Sequence, residues 1–345
     1  MVLKKYGLLL NPGHNRVYYK ASQQMSLAEF EITAQKMECS VNEVKGELIA
    51  GVYYLTFTCE NELSEKDLDK IADLSFVFAL FRMEGEALIP VLIPKADLTD
   101  VNLSSMLKYT GKTNEIFTRM MINVAVSSCK MAEPERINLL DPIAGKGTTL
   151  FEGITMGYDA SGIEIGDKAA AESYHYLKKY LEIERIKHKA NPHKQKEADK
   201  KFTCMHYEID LGKTKDAFKK HEEQHWHLVC GNSLYADHYF GKNKFHILVG
   251  DLPYGVQHGN VTAENQSSFT RNPKELVKAC LPAWKKVLKT GGVIVLSWNT
   301  HVLPKAQLAE VFEEAGFEVL LEGPYDKFMH RVDNSIMRDI IVARK

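Results

Sequence analysis

From about residue 137 onward, short apolar runs alternate with helical stretches along the chain. The runs are nearly continuous, as in strands that are covered on both faces of a parallel sheet. The last two runs are separated only by a loop, which predicts that they pair antiparallel. The predicted strands are residues 137–141, 162–165, 226–230, 245–249, 292–297, 317–322 and 335–343. The pattern therefore predicts an α/β fold, a Rossmann-like sheet that ends in an antiparallel C-terminal hairpin.

The first 95 residues have a different pattern, in which strand-like and helical runs are mixed. Apolar or aromatic runs predict strands at 6–10, 17–20 and 51–58, and periodic spacing predicts helices near 26–37 and 65–79. Pro90 and Pro94 follow, and residues 98–111 carry little apolar periodicity, which is typical of a linker. We therefore predict a small N-terminal α+β domain over 1–100 and a second domain over 101–345.

Composition narrows the class of protein but does not name it. The chain has 345 residues with 45% hydrophobic and 26% charged positions, which is typical of a soluble globular protein. Its 44 basic and 45 acidic residues give a net charge of −1, so any electrostatic binding of a polymer must be local. The six cysteines are scattered, which indicates free thiols in a reducing compartment. No apolar run has the length of a signal-peptide core or a membrane span, so we expect a cytoplasmic protein without a membrane partner.

The first candidate site is the turn after the first strand of the predicted sheet, with the sequence D-P-I-A-G-K-G-T over residues 141–148. Glycines at such a turn allow the backbone to approach a ligand closely. Glu164 lies 23 residues after Asp141, at the end of the next strand, where a carboxylate can accept hydrogen bonds from ribose hydroxyls. Leu150 replaces the third glycine of a dinucleotide fingerprint. The turn indicates a nucleoside pocket, although a lone Gly-x-Gly also suits simple packing of a helix on a strand.

The second candidate site is D-L-P-Y-G, residues 251–255, directly after the strand at 245–249. This position is the carboxyl edge of the sheet, where ligands of open α/β folds bind. Proline and glycine also suit an ordinary turn. The order of a glycine turn, a strand-two glutamate and then D-x-P-Y favours a functional role.

With these motifs the chain resembles the class I S-adenosylmethionine-dependent methyltransferases that modify exocyclic amino groups, whose hallmark is [DNS]-[IVLP]-P-[YFW]. Within that group it looks most like the Trm11-type, THUMP-associated tRNA guanine-N2 methyltransferases. The resemblance covers about residues 105–345 and implies S-adenosylmethionine as the cofactor. The cofactor-binding residues that it implies are Asp141, Gly145, Gly147, Thr148, Glu164, Ile165, Asn232, Ser233, Thr113 and Asn114. Asn232 stands where many members have Asp, and an amide can still hydrogen-bond adenine.

The chemistry of the second motif agrees with this resemblance. An exocyclic amino nitrogen is a poor nucleophile, because its lone pair is delocalised into the base. The Asp251 carboxylate and the Leu252 carbonyl can accept its two N–H bonds and turn the lone pair toward a methyl donor. Pro253 fixes that carbonyl, and Tyr254 offers a flat face on which an extruded base can stack. We therefore interpret Asp251, Leu252, Pro253 and Tyr254 as catalytic, and this chemistry requires no metal.

The resemblance implies a methyltransferase that acts on RNA, with guanine N2 of tRNA as the target. A DNA adenine-N6 or cytosine-N4 methyltransferase shares the hallmark and is the alternative. Trm11-type enzymes combine a ferredoxin-like part with a THUMP domain. Residues 1–95 suit the former as an accessory or RNA-binding domain, but no room remains for a complete THUMP module. The sequence predicts neither the modified position, the number of methyl groups added nor the oligomeric state.

Two further features leave alternatives open. His221-Glu222-Glu-Gln-His225 spells H-E-x-x-H, the pattern of zinc hydrolases, although its surroundings are polar. A nucleoside-binding regulator with an inert fold is another possibility. Residues 178–201 contain nine basic and four acidic side chains and belong to a basic insertion at about 178–225. Such a segment suits either a phosphate-binding element or a solvated, lysine-rich helix and loop.

Overall fold

The computed structural model describes residues 3–11, 16–94, 102–107, 112–197, 202–212, 214–253 and 273–345, without the side chains of 16–20, 102 and 215. The chain divides into two units. The first contains Met1–Ala96 and Leu321–Arg338, and the second contains Asp97–Leu320 and Asp339–Lys345. We expected all of 101–345 in the second domain, so the assignment of 321–338 differs. The boundary predicted at residue 100 lies outside the described residues.

The first unit is built on a five-stranded antiparallel sheet with the order β2-β3-β1-β4-β5. The order β2-β3-β1-β4 with a helix after β1 and another after β3 is the ferredoxin-like arrangement, and β5 extends it as a hairpin partner of β4. Its elements are β1 (Lys4–Leu10), α1 (Arg16–Ala34), β2 (Val41–Ile49), β3 (Val52–Cys59), α2 (Glu65–Asp73), β4 (Val77–Glu84) and β5 (Ala87–Val91). The ferredoxin-like expectation therefore agrees with the strand pairing.

Local sequence explains where the elements of this unit begin and end. Ser64 caps α2 by accepting the backbone N–H of Asp67, whose carboxylate accepts the N–H of Ser64 in return. The predicted helix over 65–79 is too long, because the β-branched and aromatic residues after Leu74 form β4. Residues 17–20, predicted as a strand, belong to α1.

The second unit alternates strands and helices over most of its length, as the pattern predicted. Its elements are α3 (Asn102–Ser105), α4 (Glu115–Ser128), β6 (Asn138–Asp141), α5 (Thr148–Thr155), β7 (Asp159–Glu164), α6 (Asp167–Ile183), β8 (Lys187–Glu197), β9 (Phe202–Gly212), α7 (Lys215–Lys220), β10 (Gln224–Cys230), a 3₁₀ turn (Ser233–Tyr235), α8 (Ala236–Phe240), β11 (Phe245–Asp251), α9 (Pro273–Val287), β12 (Leu288–Asn299), α10 (Lys305–Glu314) and β13 (Glu318–Leu320).

The C-terminal segment then contributes to both units. In the first unit it forms a 3₁₀ turn (Gly323–Asp326) and β14 (His330–Arg331), which pairs with the first residues of β15 (Met337–Arg344). In this segment Lys327 forms an ion pair of 2.9 Å with Glu31 of α1. The rest of β15 belongs to the second unit and pairs antiparallel with β13, which confirms the predicted terminal hairpin.

The large sheet has the order β13-β15-β12-β11-β6-β7-β10-β9-β8. The five strands from β12 to β10 pair parallel, and their buried residues are mainly Val, Ile and Leu. This is the Rossmann-like order of class I methyltransferases, with the predicted C-terminal hairpin at one edge. All seven strands predicted for this region are present.

A long hairpin of β8 and β9 extends the opposite edge of this sheet. The two strands of 11 residues each pair antiparallel, and β9 pairs antiparallel with β10. The alternative that the basic insertion forms a solvated, lysine-rich helix and loop is therefore wrong over residues 187–197, which form a strand. Pro192 disfavours a helix there and is tolerated because β8 is the last strand of the sheet.

Two general expectations concern membrane spans and thiols. In the described parts of the chain, no helix combines the length and apolar character needed to cross a membrane. All six cysteines are free, as expected, and five of them are buried. Cys39 and Cys59 approach each other closely in the core of the first unit, with 3.1 Å between their Sγ atoms.

Candidate active site

Three carboxylates end three adjacent parallel strands. Asp141 ends β6, Glu164 ends β7 and Asp251 ends β11. Leu248 is level with Leu140 and Gly162 is level with Asp141, so Asp251 and Glu164 each lie two residues beyond Asp141. Two strand spacings separate them, about 10 Å. The two predicted motifs therefore meet at one edge of the sheet, with Asp141 between them.

The turn after β6 is held by backbone hydrogen bonds and begins α5 without a side-chain cap. The Ala144 N–H donates to the Ile163 carbonyl at 2.8 Å, which fixes the turn against β7. Gly145 and Gly147 have φ of 53° and 88°, in the left-handed region that favours glycine. A Cβ atom at Gly145 would meet open space, whereas one at Gly147 would lie 2.5 Å from Ser173 Oγ. Gly145 therefore faces room for a ligand, and Gly147 is required for packing.

Glu164 is tied to the same turn through its carboxylate. Its Oε2 accepts the Gly145 N–H at 2.8 Å and its Oε1 accepts the Gly166 N–H at 2.7 Å. Burial raises the pKa of Glu164, and the surrounding backbone N–H groups oppose this rise because they favour the charged form. Each carboxylate oxygen retains a second lone pair, so the group can accept two further hydrogen bonds.

Asp141 is the most deeply buried of the three carboxylates, with 3% of its surface exposed. Its Oδ1 accepts the Ile143 N–H at 3.0 Å, and its side chain is also hydrogen-bonded to Thr149. Burial raises the pKa of Asp141 to about 7, and the charges of Asp251 and Glu164 add to the rise. A positive charge bound at this edge would favour its ionised form.

Asp251 is held by a hydroxyl group on each carboxylate oxygen. Thr113 donates its hydroxyl hydrogen to Oδ2, and Ser297 of β12 donates to Oδ1. The next peptide is fixed as well, because the Leu252 N–H donates to the Ser297 carbonyl at 2.8 Å. Leu252 is buried and Pro253 is exposed, whereas Tyr254 lies outside the described residues. Asp251 is thus a carboxylate whose orientation is fixed by two hydroxyl groups from other segments of the chain.

Several residues of the implied cofactor set have side chains that serve the protein itself. Asn114 caps α4 by accepting the backbone N–H of Ile116 at 2.8 Å. Ser233 Oγ accepts the indole N–H of Trp284 at 2.8 Å. Thr113 contacts the predicted catalytic Asp251. These three side chains therefore have partners within the protein, and their contact with the cofactor stays a prediction.

Three other residues of the implied cofactor set follow strands of the parallel sheet: Asn232 follows β10, Ile165 follows β7 and Thr148 follows the turn after β6. The Gly231 N–H donates to the Glu164 carbonyl at 2.9 Å, so the turn that carries Asn232 lies beside the end of β7. Asn232 Oδ1 accepts the Leu234 N–H, which leaves its amide N–H groups for a ligand. Ile165 follows Glu164 and is 50% exposed, which offers an apolar surface at the same edge. Thr148 is buried as the first residue of α5.

The H-E-x-x-H pattern does not form a metal-binding helix. The helix α7 ends at Lys220, and His221 follows in the left-handed conformation with φ of 57°. His225 lies in β10, where its Nδ1 is 2.7 Å from Asp210 Oδ1. Within the described ranges, no three His, Cys, Asp or Glu side chains are grouped so that they could hold a metal ion. The zinc-hydrolase alternative through His221 and His225 is therefore wrong, because the two histidines do not share a helix face.

The sequence analysis missed two residues of this site. Ser297 supports Asp251, and Thr149 supports Asp141. In the sequence, the available signal was a single polar residue, Ser297, in the apolar run of β12. The structure shows that Ser297 is fully buried. Its meaning depends on β12 lying next to β11, where Ser297 is level with Asp251.

The site and the sheet together define a class I methyltransferase fold. No family model matches the chain, and no curated protein matches it in sequence. Among solved structures, it is similar to a TehB-like SAM-dependent methyltransferase from Corynebacterium glutamicum (TM-score 0.34, 14% identity, 62% of this chain and 82% of that one). It is also similar to a ribosomal protein L11 methylase from Lactobacillus delbrueckii subsp. bulgaricus (0.36, 13%, 67% and 80%) and an rRNA methylase from Streptococcus thermophilus (0.30, 10%, 61% and 87%). These similarities concern the fold alone.

Proposed function

We propose that this protein is an S-adenosylmethionine-dependent methyltransferase that acts on an exocyclic amino group of RNA, with guanine N2 of tRNA as the target. The observation that carries the proposal is the Asp251 carboxylate, held by Thr113 and Ser297 at the sheet edge that also carries Glu164 and the glycine turn. A fixed acceptor at one end and a nucleoside-binding turn at the other are the two parts that such a reaction requires.

The residues of the turn suit this cofactor. Gly145 faces open space, and the Glu164 carboxylate has free lone pairs for the two ribose hydroxyls. Ile165 offers an apolar surface to adenine, and the Asn232 amide can hydrogen-bond its edge. Asp141 favours a positive charge nearby. When bound, S-adenosylmethionine supplies an electrophilic methyl group on a sulfonium ion.

The chain's own residues then orient the nucleophile. The Asp251 carboxylate and the Leu252 carbonyl accept the two N–H bonds of the amino group, which makes its lone pair available for in-line attack. The hydroxyl groups of Thr113 and Ser297 prevent rotation of the carboxylate. The bound donor would supply the methyl group to this nitrogen and leave as S-adenosylhomocysteine, and Asp251 or water would accept the proton that the nitrogen loses. Tyr254 stacks on the base in this proposal.

Two features support RNA as the substrate. The D-L-P-Y-G motif resembles that of the tRNA guanine-N2 methyltransferases, and the first unit has the ferredoxin-like strand order that accompanies them. We assign this first unit, including Leu321–Arg338, an accessory role in RNA binding.

The test is transfer of a tritiated methyl group onto total tRNA, rRNA and DNA from cells that lack the protein, followed by nucleoside analysis. The expected product is N2-methylguanosine in tRNA. Asp251→Ala should abolish transfer and retain affinity for S-adenosylhomocysteine, whereas Asp216→Ala on the exposed face of α7 should change neither. Label in DNA N6-methyladenine or N4-methylcytosine would overturn the RNA assignment. Binding of S-adenosylhomocysteine without methyl transfer to any of these polymers would indicate a nucleoside-binding regulator instead of an enzyme.

A further inference from the structure

The β8–β9 hairpin places one of its ends at the edge of the sheet that carries the candidate active site. Cys230, at the end of β10, is level with Met205 of β9, and Met205 is level with Lys194 of β8. Residues 195–197 and 202–204 therefore extend past the end of β10 at the carboxyl edge. Lys187 and Lys189 lie at the other end of β8, level with Gly212 and Asp210. The two ends of the hairpin thus face opposite edges of the sheet.

Two lysines of β8 lie toward each of these ends. We call Lys187 and Lys189 the proximal lysines: Lys187 lies over the Phe218 ring at 5.9 Å, and Lys189 is directly opposite Asp210. We call Lys194 and Lys196 the distal lysines, and both are exposed. Among the described residues, no ion pair joins them to a carboxylate. The proximal lysines lie toward the edge of the sheet opposite the candidate active site, whereas the distal lysines present positive charge toward the edge that carries it.

Two acidic residues of the described part of the chain near the distal end have hydrogen-bond partners other than the distal lysines. Glu197 is 4% exposed, and its Oε1 is 2.9 Å from Nε2 of the buried His206. His206 Nδ1 in turn is 3.0 Å from Nε2 of His227 in β10. Asp167, at the start of α6, accepts a hydrogen bond from the Cys230 thiol at 2.8 Å. The buried chain from Glu197 to His227 also attaches the hairpin to the parallel sheet, so the distal lysines extend from a rigid support.

The distance from the reacting group indicates which part of a substrate the distal lysines would meet. The strand order places β8 five strand spacings from β11, which corresponds to about 24 Å between the strands of Lys194 and Asp251. A single nucleoside or free amine cannot reach both. A polynucleotide can, and its phosphates supply the negative charge that the distal lysines lack.

We propose that the distal end of the β8–β9 hairpin, through Lys194 and Lys196, binds the phosphodiester backbone of the RNA substrate several nucleotides away from the target base. This inference rests on the proposed function and deepens it, because it names the surface that holds the polymer. The contact is made equally in the ground state and in the transition state, so it contributes to RNA affinity and leaves the chemical step unchanged.

The experiment compares two matched double variants of the full chain. Lys194→Gln with Lys196→Gln removes the distal lysines, and Lys187→Gln with Lys189→Gln removes two lysines from the same strand. RNA affinity is measured by fluorescence anisotropy, and methyl transfer by steady-state kinetics, at several salt concentrations. Each lost phosphate contact lowers the magnitude of the salt slope of log affinity by about 0.7 for a single strand and about 0.9 for a duplex. For the distal variant, an increase from about 50 to about 200 mM salt should therefore weaken binding about seven-fold to twelve-fold less than for the wild type.

The distal variant should also have a raised KM for RNA, with kcat at saturating RNA and affinity for S-adenosylhomocysteine unchanged. The proximal variant should match the wild type, and Lys→Arg at both distal positions should restore RNA affinity. Equal KM values and salt slopes in the distal variant and the wild type would overturn the inference alone. Lysines on an edge strand can also prevent aggregation. Aggregation of the distal variant with unchanged RNA affinity of its monomer would therefore also overturn it. A wild-type protein that methylates no RNA would overturn both this inference and the proposed function.

Discussion

Ser297 donates its hydroxyl hydrogen to the Asp251 carboxylate across two neighbouring parallel strands. The two residues are level in the β11–β12 pairing, and Ser297 is fully buried. The carbonyl of Ser297 also accepts the Leu252 N–H. One residue of β12 therefore fixes both the Asp251 carboxylate and the peptide that joins Asp251 to Leu252.

Ser297→Ala should lower kcat about ten-fold, because it removes one hydrogen bond, worth about 1.4 kcal/mol, that fixes the carboxylate. Affinity for S-adenosylhomocysteine should change less than about two-fold, since Glu164 and the glycine turn are intact. Thr290→Ala removes an exposed hydroxyl from the same strand and is the control. In the double variant Ser297→Ala with Thr113→Val, the loss in activation free energy should be smaller than the sum of the two single losses, because both hydroxyl groups hold the same carboxylate. An unchanged kcat in Ser297→Ala would contradict this positioning role.

Glu164→Gln should weaken S-adenosylhomocysteine binding by about ten-fold or more. An amide has a single acceptor oxygen, so it cannot accept the N–H groups of both Gly145 and Gly166 and also the ribose hydroxyls. Calorimetry measures the effect directly. Glu182→Gln on the exposed face of α6 provides the control, because the ion pair of Glu182 with Lys178 is a long one at the surface. Equal affinities of the two variants would remove Glu164 from the proposed cofactor site.

The parts of the fold that could be predicted are those with a strong local pattern. The continuous apolar runs identified all the parallel strands that carry the site, and D-L-P-Y marked the end of β11. The β8–β9 hairpin has no such pattern, because polar and charged residues dominate β8 and only Pro192 indicates that it is not a helix. Its strands are stabilised by pairing with β10, which is distant in sequence from β8.

The site shows the same division between local and non-local information. Asp141, Glu164 and Asp251 could be predicted, because each is a carboxylate at the end of an apolar strand. The roles of Ser297 and Thr113 could not, since both depend on strands or segments that are more than 40 residues from Asp251 in the chain. The hydrogen bond from Trp284 of α9 to the Ser233 hydroxyl could not be predicted for the same reason.

The two glycines of the turn should respond differently to alanine. Gly147→Ala places a Cβ 2.5 Å from Ser173 Oγ at φ of 88°, so it should destabilise the protein by about 2 kcal/mol or more. Ser173→Ala should restore part of that loss, because its buried Oγ has no hydrogen-bond partner among the described residues. Gly145→Ala should cost only about 1 kcal/mol, since its Cβ meets open space.

Cofactor binding separates these variants further. The Cβ of Gly145→Ala would occupy the space in front of the turn, so affinity for S-adenosylhomocysteine should fall by at least about ten-fold. Thermal unfolding and calorimetry on the same samples measure both effects. If Gly145→Ala binds the nucleoside as the wild type does, the space at Gly145 is not part of the cofactor site.

Asp141→Asn should stabilise the protein in a way that depends on pH. The pKa of Asp141 is about 7 in the folded protein and 3.8 as the ordinary value, so the native state binds more protons than the unfolded state between these limits. Stability of the wild type therefore falls as pH rises from about 4 to about 7, by up to about 1.4 kcal/mol per pH unit, and this loss is complete above pH 7.

Asparagine does not titrate. The Tm of Asp141→Asn minus that of the wild type should thus be smallest near pH 4, increase up to pH 7 and then stay constant, as measured by thermal unfolding at each pH. A difference that does not change with pH would show that burial imposes no cost on this carboxylate. The variant should also bind S-adenosylmethionine more weakly at pH 8, because the ionised carboxylate that favours the sulfonium charge is absent.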